Sequence, residues 1–502
     1  MSEAHVLARP PSRLHDAPAR GAPARLARVA LPAILLVAAL NFGWQLGSSS
    51  FFVDEILSME ASTVRLSRLL HAIRLGEQTP PAYFLFEHEW LYHTHSRSEW
   101  VARLPSAVAG VAVVAVVYWL ARLLAGRRAA LVAATLAALS PFLLEFAQRA
   151  QGYVFDSLLV ALAVAAAVQA TRASAHARAW LSLSAVAAVL ALWTGYTDGF
   201  VLAPLCLWVA TRDSLPVRAR AGHVLACAIA QAAVLPLFVA QAQATPHRGL
   251  GAVAGVTWSN VVQVFGTAFD PRTGGGANAL RLLGAALVLG AAAILARAPG
   301  SVAAVRERTL LIVLALLPPM ALLVLSLFGL DLMLTRYDAG AAPGQLALVA
   351  AAIAASPRAW GALLAAVALT VALGGTLGSH RSSGFYLNAR GITRYISAQQ
   401  QPGDIVATPG LPGTNVPLAF YAPRELHPNL PFKTTSPAMF SALPTPRPRL
   451  WLVMQIPTGH LSSAALLTFS RDGLAPYGYR ALSARVFTSV APMAVLLATP
   501  DR

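Results

Sequence analysis

The chain has 502 residues, 57% of them hydrophobic and only 12% charged, with a formal net charge of +17. A soluble domain carries about 25% charged residues, so this composition excludes an ordinary soluble protein. It indicates a polytopic α-helical membrane protein, and several apolar runs reach the roughly 20 residues that a bilayer demands. The positive charge does not point to nucleic acid, because most arginines stand at the ends of apolar runs, where they set orientation and meet anionic lipid. The two cysteines, Cys206 and Cys227, lie inside apolar runs and suggest no disulfide scaffold.

Residues 1–28 hold Arg9, Arg13, Arg20, Arg25 and Arg28 among Pro and Ala, without the short apolar core and small-residue cleavage site of a removable signal. They are expected to be a basic cytoplasmic tail ahead of a retained first span at 29–46. Further spans are expected at 104–124, 129–146, 154–170, 180–194, 200–210, 224–240, 279–295, 310–330, 339–355 and 361–377, with 200–210 the shortest. Inside turns carry arginines: Arg127 and Arg128, then Arg172 and Arg178, Arg212 to Arg220, Arg297 to Arg308, and Arg358. The reading is about eleven spans, with the N-terminus cytoplasmic and the C-terminus outside, in a membrane module over 29–378. The glycines at 274–276 read as a flexible turn, since no helix with Lys-Ser/Thr follows them.

Two stretches break the apolar pattern. The first is the outer loop at 47–103, with FFVDEILSMEASTVRLSRLLHAIRLGEQTPPAYFLFEHEW at its heart. It is too polar to cross a bilayer, yet its apolar residues recur as on an interfacial helix. Asp54 and Glu55 open it, and charge this close to a membrane span is costly enough to mark a functional site. The second is 379–502, where aromatic, Pro and polar residues return. GITRYISAQQ reads as an amphipathic helix; DIVAT, RLWLVMQI and MAVLLAT read as buried strands, with LSSAALLTFSR a helix between them. A small extracytoplasmic α/β domain of about 120 residues follows, with 409–446 as a Pro-rich surface loop.

On this topology Asp54, Glu55, Glu60, His71, Glu77, Glu87, His88, Glu89, Arg149, Tyr153, Asp198, Arg336 and Asp338 share the outer face, which suits a cleft at the membrane surface. Several motifs on that face stand in a telling order: Asp54-Glu55 after the first span, Thr79-Pro80-Pro81, Arg103-Leu104-Pro105 leading into the second span, Ser140-Pro141 followed by Gln148-Arg149-Ala150-Gln151-Gly152-Tyr153, and Arg336-Tyr337 after a later span. Together they resemble the GT-C class of polyprenyl-phosphate-sugar-dependent glycosyltransferases, in the superfamily of protein O-mannosyltransferases and aminoarabinose transferases. The resemblance covers residues 28–340; the outer domain fits by position and strand pattern.

The resemblance implies a sugar donor anchored in the bilayer by its polyprenyl phosphate, an envelope acceptor, and inversion at the anomeric carbon. A base must take the acceptor's proton, which a carboxylate within hydrogen-bond reach can do. Asp54 is the matching position, with Glu55 as its partner or orienting residue. Asp54 could equally cap the helix that it begins. The departing phosphate gains charge, and a guanidinium suits its oxygens. Arg336, beside Tyr337, fits that role, although an arginine there could also snorkel to lipid headgroups. Arg149 is a further phosphate ligand, and Glu145, Gln148, Tyr153, Thr79 and Asp198 are expected to line the cleft.

This sequence departs from the family pattern at two places. In the Gln-Glu-Ala-Arg turn, Arg149 stands for Glu and Gln151 for Arg, so Glu145 would supply the acidic partner. Thr79 replaces the His or Lys before Pro-Pro, which removes one phosphate or metal contact. The histidines His71, His88, His93 and His95 form no metal signature, and the residues leave open whether a divalent cation takes part. A different class of function, a transporter or flippase of lipid-linked substrates, is disfavoured because no paired broken helices or half-to-half repeat are visible. A catalytically inactive member of the class is the other alternative.

Overall fold

A computed structural model describes residues 24–76, 79–244, 255–271, 277–381, 387–408, 412–422, 430–431, 440, 443, 445–456, 462–487 and 492–501. Most of the tail at 1–28, Glu77, the turn at 274–276 and most of the loop at 409–446 lie outside them.

The protein is a multi-pass helical membrane protein with a small C-terminal sheet. Its first helix is α1 (Ala24–Gly43), and the loop at 47–103 forms α2 (Val53–Ser62), α3 (Leu66–Gly76) and α4 (Ala82–Thr94). Next comes α5 (Glu99–Ala138), started by Ser98, whose hydroxyl accepts the Val101 N–H. Forty helical residues would reach about 60 Å, twice the hydrocarbon thickness of a bilayer. The helix is broken at Gly126, where φ is 83° and ψ −176°. That backbone conformation is essentially restricted to glycine, and it falls beside Arg127 and Arg128, where the inside turn was expected.

The bundle continues through α6 (Pro141–Ala147), α7 (Tyr153–Arg172), α8 (Ala177–Leu192), α9 (Gly199–Ala210), α10 (Val217–Ala244), α11 (Trp258–Phe265), α12 (Ala277–Arg297), α13 (Val302–Leu327), α14 (Ala342–Ala355) and α15 (Arg358–Arg381). Among the described residues, 7 helices are long and apolar enough to cross a membrane, with α5 counted as one and α14 joined to the 3-10 turn before it. The other expected spans fall on the shorter apolar helices α1, α8 and α9, and on the second limb of α5. α14 lies at the centre of the bundle, buried from Ala342 to Ile353. Its small side chains let α5, α7, α12 and α13 approach closely, as alanine does in membrane bundles.

The C-terminal unit starts with α16 (Ala389–Ser397), which buries Ile392 and Ile396 on one face, as its amphipathic pattern requires. The strands β1 (Ile405–Thr408), β2 (Leu430–Pro431), β3 (Leu450–Gln455), β4 (Tyr479–Phe487) and β5 (Met493–Pro500) form one sheet in the order β2-β1-β3-β5-β4. β1 runs parallel to β2 and β3, while β5 is antiparallel to β3 and β4. The expected strands are β1, β3 and β5, and the expected helix is α18 (Ser463–Leu474), once α17 (Pro412–Tyr421) is counted. β4 was not foreseen: it is an edge strand whose exposed positions carry Arg480 and Arg485, so it lacks the continuous apolar run of its neighbours. The expected loop at 409–446 contains α17 and β2. α17 forms because Leu418 packs into the domain core while Phe420 meets Phe51 edge-on, at 5.8 Å between ring centroids.

Gly126→Ala should destabilise the bundle by about 1–3 kcal/mol through backbone strain alone, since a Cβ there meets nothing within 4 Å. Thermal unfolding of the detergent-solubilised protein would read this as a lowered Tm.

Candidate functional site

The first turn of α2 hangs from a buried ion pair. Glu55 Oε1 accepts from Arg103 Nε at 2.8 Å and from the Ala150 N–H at 2.9 Å. Its Oε2 accepts from Arg103 Nη2 and from the Phe52 N–H, both at 2.9 Å. Arg103 gives its remaining protons to the carbonyls of Leu46, Ser49 and Ser50. The two side chains are 0% and 1% exposed, so neither charge is solvated by water. Burial raises the Glu55 pKa, but Arg103 and the two backbone N–H groups outweigh it and hold the carboxyl below its usual 4.5. Glu55 thus closes the start of α2 by reaching back to Phe52, the role that Asp54 was expected to be able to fill.

Asp54 is thereby left free to point elsewhere. Its Oδ2 accepts from Arg336 Nη1 at 2.9 Å, across 282 residues of sequence. Arg336 comes from the 3-10 turn Thr335–Ala341 that leads into α14, and its guanidinium lies 5.3 Å from the Tyr337 ring centre. Both residues face a cavity of about 200 Å³, shared with Ser58, Thr79, Tyr83, Gln151, Tyr153, Asp156, Thr194 and Tyr337. Asp54 and Arg336 are about a third and a quarter exposed, so the pair is reachable from the cavity.

Of the residues expected at the site, Asp54, Arg336, Tyr337, Tyr153 and Thr79 line this cavity. Glu55 does not, because Arg103 and the backbone N–H groups consume its oxygens. Arg149 does not either: it pairs with Glu145 one helical turn earlier and lies over the Phe52 and Phe146 rings. Gln148 donates to the Trp44 carbonyl at 2.8 Å and so ties α6 to the end of α1. Asp198 is buried behind the lining, close enough to Asp156 for the two carboxylates to interact. The histidines keep to bland surroundings: His88 Nδ1 contacts the Ser62 carbonyl at 2.6 Å, and His93 sits 3.6 Å from Glu89 at the surface.

Sequence reasoning missed Tyr83 and Asp156. Burial and the neighbouring Glu87 push the Tyr83 phenol well above its ordinary pKa, which keeps it a proton donor. Asp156 had a signal, a lone carboxylate inside the apolar run YVFDSLLV, which marks a functional position in a membrane helix. Asp156 Oδ1, Asp198 Oδ2 and Asp338 Oδ1 are buried without a hydrogen-bond partner among the described residues. Gly195 and Gly340 make room for this cluster: a Cβ on either would meet a carboxylate of Asp156 or Asp198 at 3.0 Å or less. Among the described residues, the cavity lining offers no group of three His, Cys, Asp or Glu side chains with donor atoms close enough to share an ion.

Over its whole length the fold is similar to that of ArnT from Cupriavidus metallidurans in the apo state, with a TM-score of 0.54 and 16% identity, covering 95% of this chain and 98% of that one. The chain therefore shares the fold of that structure. Residues 79–239 match the family model described as dolichyl-phosphate-mannose-protein mannosyltransferase. ArnT from the same organism bound to undecaprenyl phosphate aligns with a TM-score of 0.49 and 16% identity, over 95% of this chain and 98% of that one. AglB, the archaeal oligosaccharyltransferase from Archaeoglobus fulgidus, solved with an inhibitory peptide and a dolichol-phosphate, aligns at 0.46 and 12%, over 95% and 76%. No curated protein sequence matches the chain. The acidic residue after the first helix and the Arg-Tyr before α14, which carried the GT-C resemblance, meet across one cavity.

Arg103→Ala should strand a buried carboxylate and cost about 3–5 kcal/mol, read as a large fall in Tm or loss of the folded protein. Because the folded-state pKa of Glu55 is depressed, its stabilising contribution is present above the unfolded value. It should be lost as the pH falls below 4.5 through the lower folded value. Acid unfolding of the wild type against Glu55→Gln measures that difference.

Proposed function

We propose that this protein is a membrane glycosyltransferase that moves a sugar from a polyprenyl-phosphate donor to an acceptor on the outer side of the membrane. The observation that carries the reading is the Asp54–Arg336 pair at 2.9 Å on the wall of a cavity of about 200 Å³. A base and a phosphate ligand are the two groups that this transfer requires, and here they are adjacent.

The pair also suggests an order of events. Arg336 is engaged with Asp54. A donor phosphate is a better partner for a guanidinium, since it offers more oxygens to the planar fork. Its arrival would draw Arg336 away and release the Asp54 carboxylate to act as base. Asp54 then takes the proton of an acceptor hydroxyl or amine while that oxygen or nitrogen bonds to the anomeric carbon. The bond from that carbon to the phosphate oxygen breaks on the opposite face, which inverts the configuration. Arg336 holds the charge that collects on the departing polyprenyl phosphate, and Tyr337 and Tyr153 flank it. Asp156, Gln151 and Tyr83 supply acceptors and donors for sugar hydroxyls.

On this reading the outer loop at 47–103 is the catalytic loop. The C-terminal unit at 379–502 is extracytoplasmic, residues 1–28 are cytoplasmic, and the membrane is a bacterial inner membrane. The acceptor is a lipid, an envelope glycan or a protein.

Asp54→Asn should lower transfer by about 10²–10⁴-fold while the protein still folds and inserts. Arg336→Ala should lower it by about 10²–10³-fold, with Arg336→Lys falling between. The assay is label transfer from polyprenyl-phosphate sugars to envelope extracts by the purified protein. Transfer at the normal rate by Asp54→Asn would remove Asp54 as the base, and label crossing vesicles without being transferred would favour a transporter.

A further inference from the structure

We propose that Cys206, His223 and Cys227 form a zinc(II) site inside the membrane bundle, separate from the cavity. Their donor atoms all lie within 4.8 Å of one another, the one such group of three among the described residues. His223 and Cys227 stand four residues apart on α10 and so share one face of that helix. Cys206 comes from α9, whose end is joined to the start of α10 by a short turn. Cys227 and His223 are buried, and Cys206 is partly so.

The imidazole is prepared for a metal. His223 Nε2 lies 2.9 Å from Ser184 Oγ, on α8. Ser184 has a single hydroxyl proton, and it gives that proton to the Ala163 carbonyl at 2.8 Å. The Ser184–His223 bond must therefore be donated by His223, which puts the ring proton on Nε2 and a lone pair on Nδ1. That Nδ1 is buried with no hydrogen-bond partner among the described residues. A histidine fixed in this way, with its outer N–H spent on a neighbour, is the usual arrangement of a metal ligand.

Charge selects the ion. Two thiolates and a neutral imidazole around zinc(II) sum to zero, which suits a site packed among apolar helices where net charge is expensive. Copper(I), which favours the same soft donors, would leave one negative charge. Binding releases the two thiol protons. In a tetrahedral zinc site the sulfurs lie about 3.8 Å apart, inside the 4.8 Å that bounds the donor separations here. No fourth His, Cys, Asp or Glu joins the group among the described residues, and the fourth position falls to water. The ion would staple α9, only 12 residues long, to α10. The far end of α10 carries Gln241, which donates to the Ile73 and Thr79 carbonyls at 2.7 and 3.2 Å and so steadies the loop at the cavity.

The test uses the full chain in lipid nanodiscs, reduced, stripped with chelator and free of any affinity tag, titrated with cobalt(II) and then zinc(II). The chain has two cysteines, so thiolate-to-cobalt charge-transfer absorption can come from this cluster alone. The expected result is one cobalt per chain with that absorption, bleached by one equivalent of zinc. Cys206→Ser and Cys227→Ser should each abolish it. Ser184→Ala, which keeps all three ligands, should weaken zinc about 10-fold or more. Absence of the absorption from the folded wild type, its persistence in Cys206→Ser, or binding of copper(I) but not zinc would overturn the proposal. Unchanged affinity in Ser184→Ala would overturn the tautomer and with it the ligand set.

Discussion

The buried pairing of Glu55 with Arg103 is the constraint on which the cavity depends. Arg103 sits in the first turns of α5 and reaches the carbonyls at 46, 49 and 50, so it fastens the end of α1 to the start of α5. Glu55 joins the same knot to the start of α2 and to the Ala150 N–H after α6. Four chain segments are thereby held at one point. A pair so well satisfied gives little net stability against apolar substitutes, but breaking one half is costly. What it supplies is position: with Glu55 pinned, the next residue back must face the cavity.

The C-terminal unit leans on the same point. Tyr421 accepts the Phe51 N–H at 2.7 Å and donates to Glu99 at 2.8 Å. Arg390 donates to Glu99 at 3.0 Å and to the Ser48 carbonyl at 2.6 Å. These bonds lie three to six residues from Asp54 and Arg103, so the sheet domain grips the loop that bears the carboxylate. The cavity is thus walled by the loop at 47–103, by the start of α7 and by the turn before α14, and its loop wall is braced by the C-terminal unit.

A pattern runs through the buried charges. Glu55 has every oxygen engaged and is structural. Asp156, Asp198 and Asp338 each keep one oxygen unpaired beside or behind the cavity lining, and Asp54 keeps partial access to it. Full satisfaction goes with architecture and partial satisfaction with the open site, as the cost of unpaired buried groups would require.

Much of this was legible in the sequence. Apolar length and arginine placement fix a multi-pass membrane protein, because a bilayer tolerates only closed helical hydrogen bonding and few charges. Period and composition also located β1, β3, β5 and α16. Asp54, Arg336, Tyr337, Tyr153 and Thr79 could be named because each stands next to an apolar run, where polar groups are conspicuous. Tertiary structure alone decided which of two adjacent carboxylates is buried and which faces the cavity. The difference between Asp54 and Glu55 is set by Arg103, 48 residues away from Glu55, and by a backbone N–H from a third segment. The inner contacts of Arg149, the hidden place of Asp198 and the meeting of Asp54 with Arg336 across 282 residues arise likewise from helix packing. Side-chain identity sets what a group can bond; only the fold sets what lies within 3 Å of it.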